Sequence, residues 1–475
     1  MSMINKNLKF LSAALSLVVL GASAVKAQDF NLNGISAADI KAAQTDKGIF
    51  DFIKPDKPET MAQKEWTIMI FMNAKNDLSD SQLLGLVGKW AEKDIKEMKE
   101  VGTSDKINIV VEHGAKGKGS KRMLITKKGG ILSSGEKVYG EFPNADMGDY
   151  KRVVEFAQWS KKTFPARKTM LVLWNHGLGW IDPKMDQAPS GTGTAAKGIL
   201  FDDETKNYLR TAQMKEMMRQ IGYTDIVMQN ACLQQMAEVL YEMKDNVGLF
   251  VGSEETMLAQ GFDYTGLLNF MNANPAFTHE QLGEYLVTWY KAFYAAGMNV
   301  GPISVPLGDM GATLSLVRPA ALNDLPGYLD AFAGAVMRNN ETDAAKYAIE
   351  NVIRFTSLDP KNDKKKLIAA YADLYDFAFR VAVKSQSPET KAAADSLMGF
   401  IKNGLVLRSV GLNGDKENGY DYTKVGGIAI NTTMKIKTVP AQLEAIFETK
   451  YADLSLSKAS QWDEFLTWTD GVWRK

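Results

Sequence analysis

This chain of 475 residues holds one cysteine, Cys232, and three histidines, His113, His176 and His279. A lone cysteine cannot close an internal disulfide, so the fold must stand on packing alone, and the leftover thiol is a candidate reactive group. The three histidines and the cysteine fall on separate stretches, which gives no zinc site. Charge of one sign is also missing: Lys plus Arg and Asp plus Glu are 56 each. No global field is present to hold a nucleic acid or an anionic membrane, and both are excluded as partners. No internal repeat or low-complexity tract occurs. Beyond the N-terminus, no apolar run approaches the roughly 20 residues that a spanning helix needs.

What is present begins at the N-terminus. Lys6 and Lys9 precede an apolar run from Phe10 to Ala24, and Val25-Lys26-Ala27 forms a small-residue cleavage site. This is the pattern of a signal peptide over residues 1–27, which predicts a secreted or periplasmic protein. Position 28 is Gln rather than Cys, so no lipid anchor is expected there. Residues 28–65, with Pro55 and Pro58, read as a pro-segment or extended lead-in.

Five short apolar runs follow: Trp66 to Met72, Ile107 to Glu112, Thr169 to Trp174, Asp225 to Met228 with its continuation, and Val247 to Val251. Continuous apolar strands are expected where helices cover both faces of a parallel sheet. The intervening segments supply such helices, notably Tyr150 to Lys162 and Met214 to Ile221. The fold class predicted is α/β, a mostly parallel sheet flanked by helices over residues 66–265. From 266 to 475 longer helical patterns dominate, including His279 to Ala295, Asp343 to Phe355 and Lys366 to Val383, with a strand-like GGIAINTT from Gly426 to Thr433. A mainly helical C-terminal region is expected there. The stretch from Asp182 to Gly198 is the loosest interior segment, and its Lys184 and Lys197 are plausible cleavage points.

Cys232 lies where an apolar strand gives way to Leu233, Met236, Ala237, Leu240 and Met243 at helical spacing. That predicts a thiol at the carboxyl end of a strand and in the first turn of a helix. Ligands collect at this edge of an open α/β sheet, and a helix N-terminus favours the thiolate. A buried, inert cysteine is an equally open reading. His176, in LVLWNHGLGW, directly follows the preceding strand, so the two side chains should face one crevice. Gly177 lets the backbone approach a substrate, and its N–H with that of Cys232 could hold an oxyanion. His113 ends a strand about 14 Å away at usual spacings and is out of reach. His279 sits in a capping box formed by Thr278 and Gln281, which places it at the surface. The glycines of GAKGKGSK from Gly114 approach phosphate-loop spacing, but Ser120 stands where the lysine should be, so this is a basic turn.

The blocks WTIMIFMNAKNDL, FPARKTMLVLWNHGLGW, ILFDDE, NACLQQMAEVLYEM, GSEETMLAQGFDY and LYDFA together resemble clostripain-family cysteine peptidases, relatives of caspases, legumain and gingipains. The resemblance implies a caspase-like catalytic domain, a His176 and Cys232 dyad, and hydrolysis of peptides or proteins through an acyl-enzyme. It also implies Lys or Arg before the scissile bond, a choice attributed to an aspartate two residues ahead of the cysteine. Here that residue is Asn230, and Glu254 or Glu255 could restore the charge from the next strand end. Processing in the 182–198 loop is implied as well, with Lys197 the preferred site. No cofactor is expected. Calcium is reported for part of the family, and Asp202, Asp203 and Glu204 could bind it, though no metal is assigned. A secreted peptide-binding protein that kept the fold but lost turnover is the alternative reading.

Overall fold

The strand Lys64–Ala74 (β1) is buried along nearly its whole length, which only a strand at the centre of a doubly covered sheet can be. The computed structural model describes residues 63–79, 81–83, 86–129, 133–184, 198–258, 260–300, 303–305, 311–355, 371–415, 419–432 and 447–473. The signal peptide, residues 28–62 of the lead-in, and Lys197 lie outside the described residues.

Eight further strands join β1: Ile107–Ala115 (β2), Gly119–Ile125 (β3), Glu136–Phe142 (β4), Ala166–Trp174 (β5), Thr224–Asn230 (β6), Val247–Gly252 (β7), Ala312–Val317 (β8) and Val406–Leu412 (β9). Among the described residues they form one sheet in the order β9-β8-β7-β6-β5-β1-β2-β3-β4. The five central strands, β7 to β2 in that order, pair in parallel. They are the five apolar runs of the sequence. The outer pair on each side is antiparallel.

The helices are Trp90–Val101 (α1), Tyr150–Thr163 (α2), Met214–Ile221 (α3), Ala237–Met243 (α4), Tyr264–Ala273 (α5), His279–Ala295 (α6), Leu325–Arg338 (α7), Thr342–Asn351 (α8), Leu374–Lys384 (α9), Pro388–Phe400 (α10), Ser455–Ala459 (α11) and Trp462–Trp473 (α12). Several begin where the sequence supplies a cap. Asp149 accepts from Lys151 N at α2, Asp263 from Gly266 N at α5, and the Thr278–Gln281 capping box opens α6. The C-terminal region supplies helices and also β8 and β9, which extend the central sheet. Arg354–Phe355 and Tyr371–Asp373, both expected within helices, pair with each other as short strands, α9 starts at Leu374, and residues 366–370 lie outside the described residues.

The connection from β1 leads to β2 on one side of it, whereas β5, β6 and β7 build outward on the other. The strand order therefore reverses at β1, and the crevice at the carboxyl ends of β1 and β5 is the topological switch point.

Candidate active site

The register of β5 against β6 sets Trp174 beside Asn230, and Asn175 N donates to Asn230 O at 3.2 Å. His176 and Cys232 each lie two residues further on, so both leave adjacent parallel strands at the same edge and with the same facing. Gly177 closes the gap between them. A Cβ at Gly177 would stand 2.2 Å from Cys232 O and 3.2 Å from Cys232 N, so no side chain is possible where the two backbones meet.

Asn175 fixes the turn that presents the histidine. Its Oδ1 accepts from His176 N at 2.6 Å and Phe201 N at 3.1 Å, while Nδ2 donates to Asn73 O at 2.6 Å. The His176 ring is largely buried, with its Nε2 2.9 Å from Asp77 Oδ1. Asp77 lies just past β1, the neighbouring strand of β5. A carboxylate can only accept here, so Nε2 donates to it and Nδ1 is the other ring nitrogen. Asp77 was not singled out from sequence. The available signal was its place three residues beyond a strand that ends at the same edge.

Cys232 is partly buried, and its thiol donates to Met257 O at 3.9 Å. The helix expected to start at this residue begins instead at Ala237, the first residue of α4. Gln235 explains the difference, because its N–H donates to Ser253 O and its carbonyl accepts from Ala429 N, so the intervening segment is held extended by tertiary partners. Leu233, directly after the cysteine, adopts φ 60°, a left-handed conformation that costs a branched side chain about 1 kcal/mol or more. The start of α4 is five residues beyond the cysteine rather than at it. Burial pushes the thiol up to about 11, and the Glu255 carboxylate adds to this. The backbone at Met257 pulls the other way, as do the N–H groups of Cys232 itself and of Gly177. The latter two are the donors expected of an oxyanion hole.

Asn230 is buried, and its Nδ2 donates to the Tyr264 hydroxyl at 3.3 Å. The two candidate acids are placed differently. The backbone N–H groups of Glu254 and Glu255 both donate to Thr313 Oγ1 at 3.1 Å, which pins the turn after β7. Glu254 is buried, where burial first and the Asp373 carboxylate second hold its carboxyl well above the usual range. That favours its neutral form. The carboxylate of Glu255 accepts from Thr256 N at 2.6 Å and from the Tyr422 hydroxyl.

The remaining expectations concern other parts of the molecule. His113 is on β2, with β1 and β5 between it and β6. Burial lowers its pKa to about 4, which favours the uncharged ring. His279 opens α6, within 3.2 Å of Glu280. Two carboxylates of the acidic run after residue 201, Asp202 and Glu204, are already engaged. Asp202 accepts from the N–H groups of Met147, Glu204 and Thr205, and Lys75 Nζ stands 3.0 Å from both Asp202 and Glu204. An ammonium thus sits where calcium was considered, and these side chains do not fit that ion. Among the described residues no cluster of three metal-ligating side chains occurs.

The model of the clostripain family matches residues 80–468. Similar solved structures include an inactive zymogen C11 protease from Parabacteroides distasonis, at 17% identity and TM-score 0.58, covering 84% of this chain and 98% of that one. Another is a secreted C11 cysteine protease from Bacteroides thetaiotaomicron in complex with an irreversible peptide inhibitor, at 17% identity and TM-score 0.57, covering 84% of this chain and all of that one. At such identity these two show a shared fold. A comparison with curated proteins returned no match.

Proposed function

Because this chain belongs to the clostripain family and is a cysteine endopeptidase, we propose that His176 and Cys232 are its catalytic pair, with Asp77 orienting the imidazole. The observation that carries this reading is the meeting of the two strand ends, where Gly177 lies against the backbone of Cys232. The imidazole takes the thiol proton on Nδ1, and the sulfur adds to the substrate carbonyl carbon. The resulting oxyanion lies against the N–H groups of Gly177 and Cys232. When the intermediate collapses, the imidazolium returns its proton to the leaving amine. Water then attacks the acyl-enzyme with the same imidazole as base.

Export rests on the pattern of residues 1–27, and among the described residues no helix is long and apolar enough to cross a membrane. Lys197 remains the proposed processing site. Both ends of its loop meet Tyr208, whose hydroxyl donates to Pro183 O at 2.7 Å and whose ring lies against Gly198. A cut after Lys197 leaves the described residues on either side of the loop, Pro183 and Gly198, each against Tyr208. Lys or Arg before the scissile bond is the family expectation, yet Asn230 carries no charge for it, a loss on the order of a few kcal/mol in a dry pocket.

The peptide-binding alternative is favoured by the seat of the thiol, which lies against Met257 O and near the Glu255 carboxylate. Both readings are tested by incubating the chain, intact and nicked between residues 184 and 198, with a peptide library varied at the residue before the cut. Cleavage by wild type and none by Cys232→Ala supports the enzyme. No cleavage in either form leaves the binding protein.

A further inference from the structure

A cut between Pro183 and Gly198 would make the histidine turn the tail of an N-terminal fragment, because His176 and residues 177–183 lie just ahead of it. A chain end frays more readily than a closed loop. The side chains that grip this tail all come from the other side of the cut. The Tyr208 hydroxyl donates to Pro183 O at 2.7 Å, Thr211 N donates to Asp182 Oδ2 at 2.9 Å, and Thr211 Oγ1 donates to Trp180 O at 3.1 Å.

Residues much further along the chain add to the grip. Tyr371 is fully buried, and its hydroxyl donates to Leu178 O at 2.6 Å, two residues past the histidine. Gly179 turns at φ 64°, and a Cβ there would stand 2.5 Å from Met236 Sδ and 2.8 Å from the Tyr371 ring, so the turn needs glycine on both counts. Residues 447–451 then form a strap across the start of the loop. Phe447 bridges Pro183 in antiparallel register, Glu448 N donates to Asp182 O at 2.7 Å, and Thr449 Oγ1 donates to Asp182 Oδ2 at 2.5 Å. The Trp180 ring lies edge-on to Phe447 and Tyr451, with centroids 6.1 and 5.0 Å apart. The strap is itself fixed at two points. Arg210 Nε donates to Glu448 Oε2 at 2.6 Å, and the Tyr451 hydroxyl donates at 2.8 Å to Glu238 Oε1 on α4, the helix that follows Cys232. It thus joins the segments that follow both members of the proposed pair.

Resting on the peptidase reading and its cut above, we infer that residues 447–451 and Tyr371 are a clasp for the processed enzyme, which keeps the His176 turn in place once the chain is broken. Thr449 and Tyr371 are then positioning residues of the cut form. In the intact chain the turn is tethered covalently at both ends, so losing one hydrogen bond leaves it confined. In the cut chain, beyond the end of β5, only these contacts restrain it.

The test compares the full chain, intact and nicked between residues 184 and 198, in wild type, Thr449→Val, Tyr371→Phe and Thr449→Ser. Amide hydrogen exchange over residues 175–182 reads the clasp without turnover, and kcat and KM are measured on a peptide that wild type cleaves. Nicking wild type should change the exchange of these amides by less than about threefold. In Thr449→Val and in Tyr371→Phe, exchange should quicken about tenfold in the nicked chain but no more than about threefold in the intact one. The kcat of these two nicked variants should fall about tenfold with KM within about twofold, while Thr449→Ser, which keeps the hydroxyl, should follow wild type. Rapid exchange in nicked wild type, or variants whose exchange shifts alike in the intact and nicked chains, overturns the clasp. No cleavage by wild type, with the expected exchange pattern present, sinks the peptidase reading alone.

Discussion

The ends of β5 and β6 lie side by side, yet they hold their reactive groups in opposite ways. At the end of β5 the imidazole is held at two points, since Asn175 Oδ1 accepts from its backbone N–H and Asp77 stands at its Nε2. At the end of β6 the thiol is sheltered, donating to Met257 O beside the Glu255 carboxylate, and burial holds it up at about 11. The imidazole is oriented and the thiol is covered. The difference arises because β5 borders the switch point, where polar groups from β1 and the segment after residue 198 converge, whereas β6 borders β7, whose turn folds over the sulfur. Activation should therefore act on the sulfur's surroundings, not on the histidine.

The largest effect is expected where the two ends touch. Gly177→Ala drives a methyl group into the Cys232 carbonyl and displaces an oxyanion donor, so kcat should fall about 100-fold or more with the fold retained, as steady-state kinetics and circular dichroism would show. A smaller loss is expected at the end of β5. Asp77→Asn removes the carboxylate that selects the Nε2–H tautomer, and kcat should drop on the order of tenfold with little change in KM. If Asp77→Asn leaves kcat intact, the imidazole does not depend on that partner. The smallest effect, and opposite in sign, belongs to the sheltered side. Glu255→Gln takes a negative charge away from the thiolate, so the thiol pKa should move down from about 11 and alkylation of Cys232 at pH 8 should quicken severalfold. An unchanged or slower rate would show that Glu255 does not restrain the sulfur.

The same contrast separates what sequence can show from what it cannot. Continuous apolar runs marked the five parallel strands because burial on both faces leaves no polar alternation, and the strand-end rule then brought His176 and Cys232 to neighbouring positions. The flanking strands were less legible. Glu136–Phe142 is mostly exposed, and Ala312–Val317, though buried throughout, sets Thr and Ser between its apolar residues. The helix expected at Cys232 failed because Ser253 and Ala429, from other parts of the chain, claim the backbone of Gln235. Asp77 and Asp94 stand 99 and 80 residues from the side chains they meet, contacts that no local spacing reveals.

The claim that the two strand ends work as one catalyst is tested most directly by labelling Cys232 with a peptide electrophile at neutral pH. Rates would be compared in wild type and His176→Ala, and the adduct located by mass spectrometry. A paired imidazole and sulfur predict a fall of about 100-fold without the histidine. Equal rates in the two proteins would contradict the pairing.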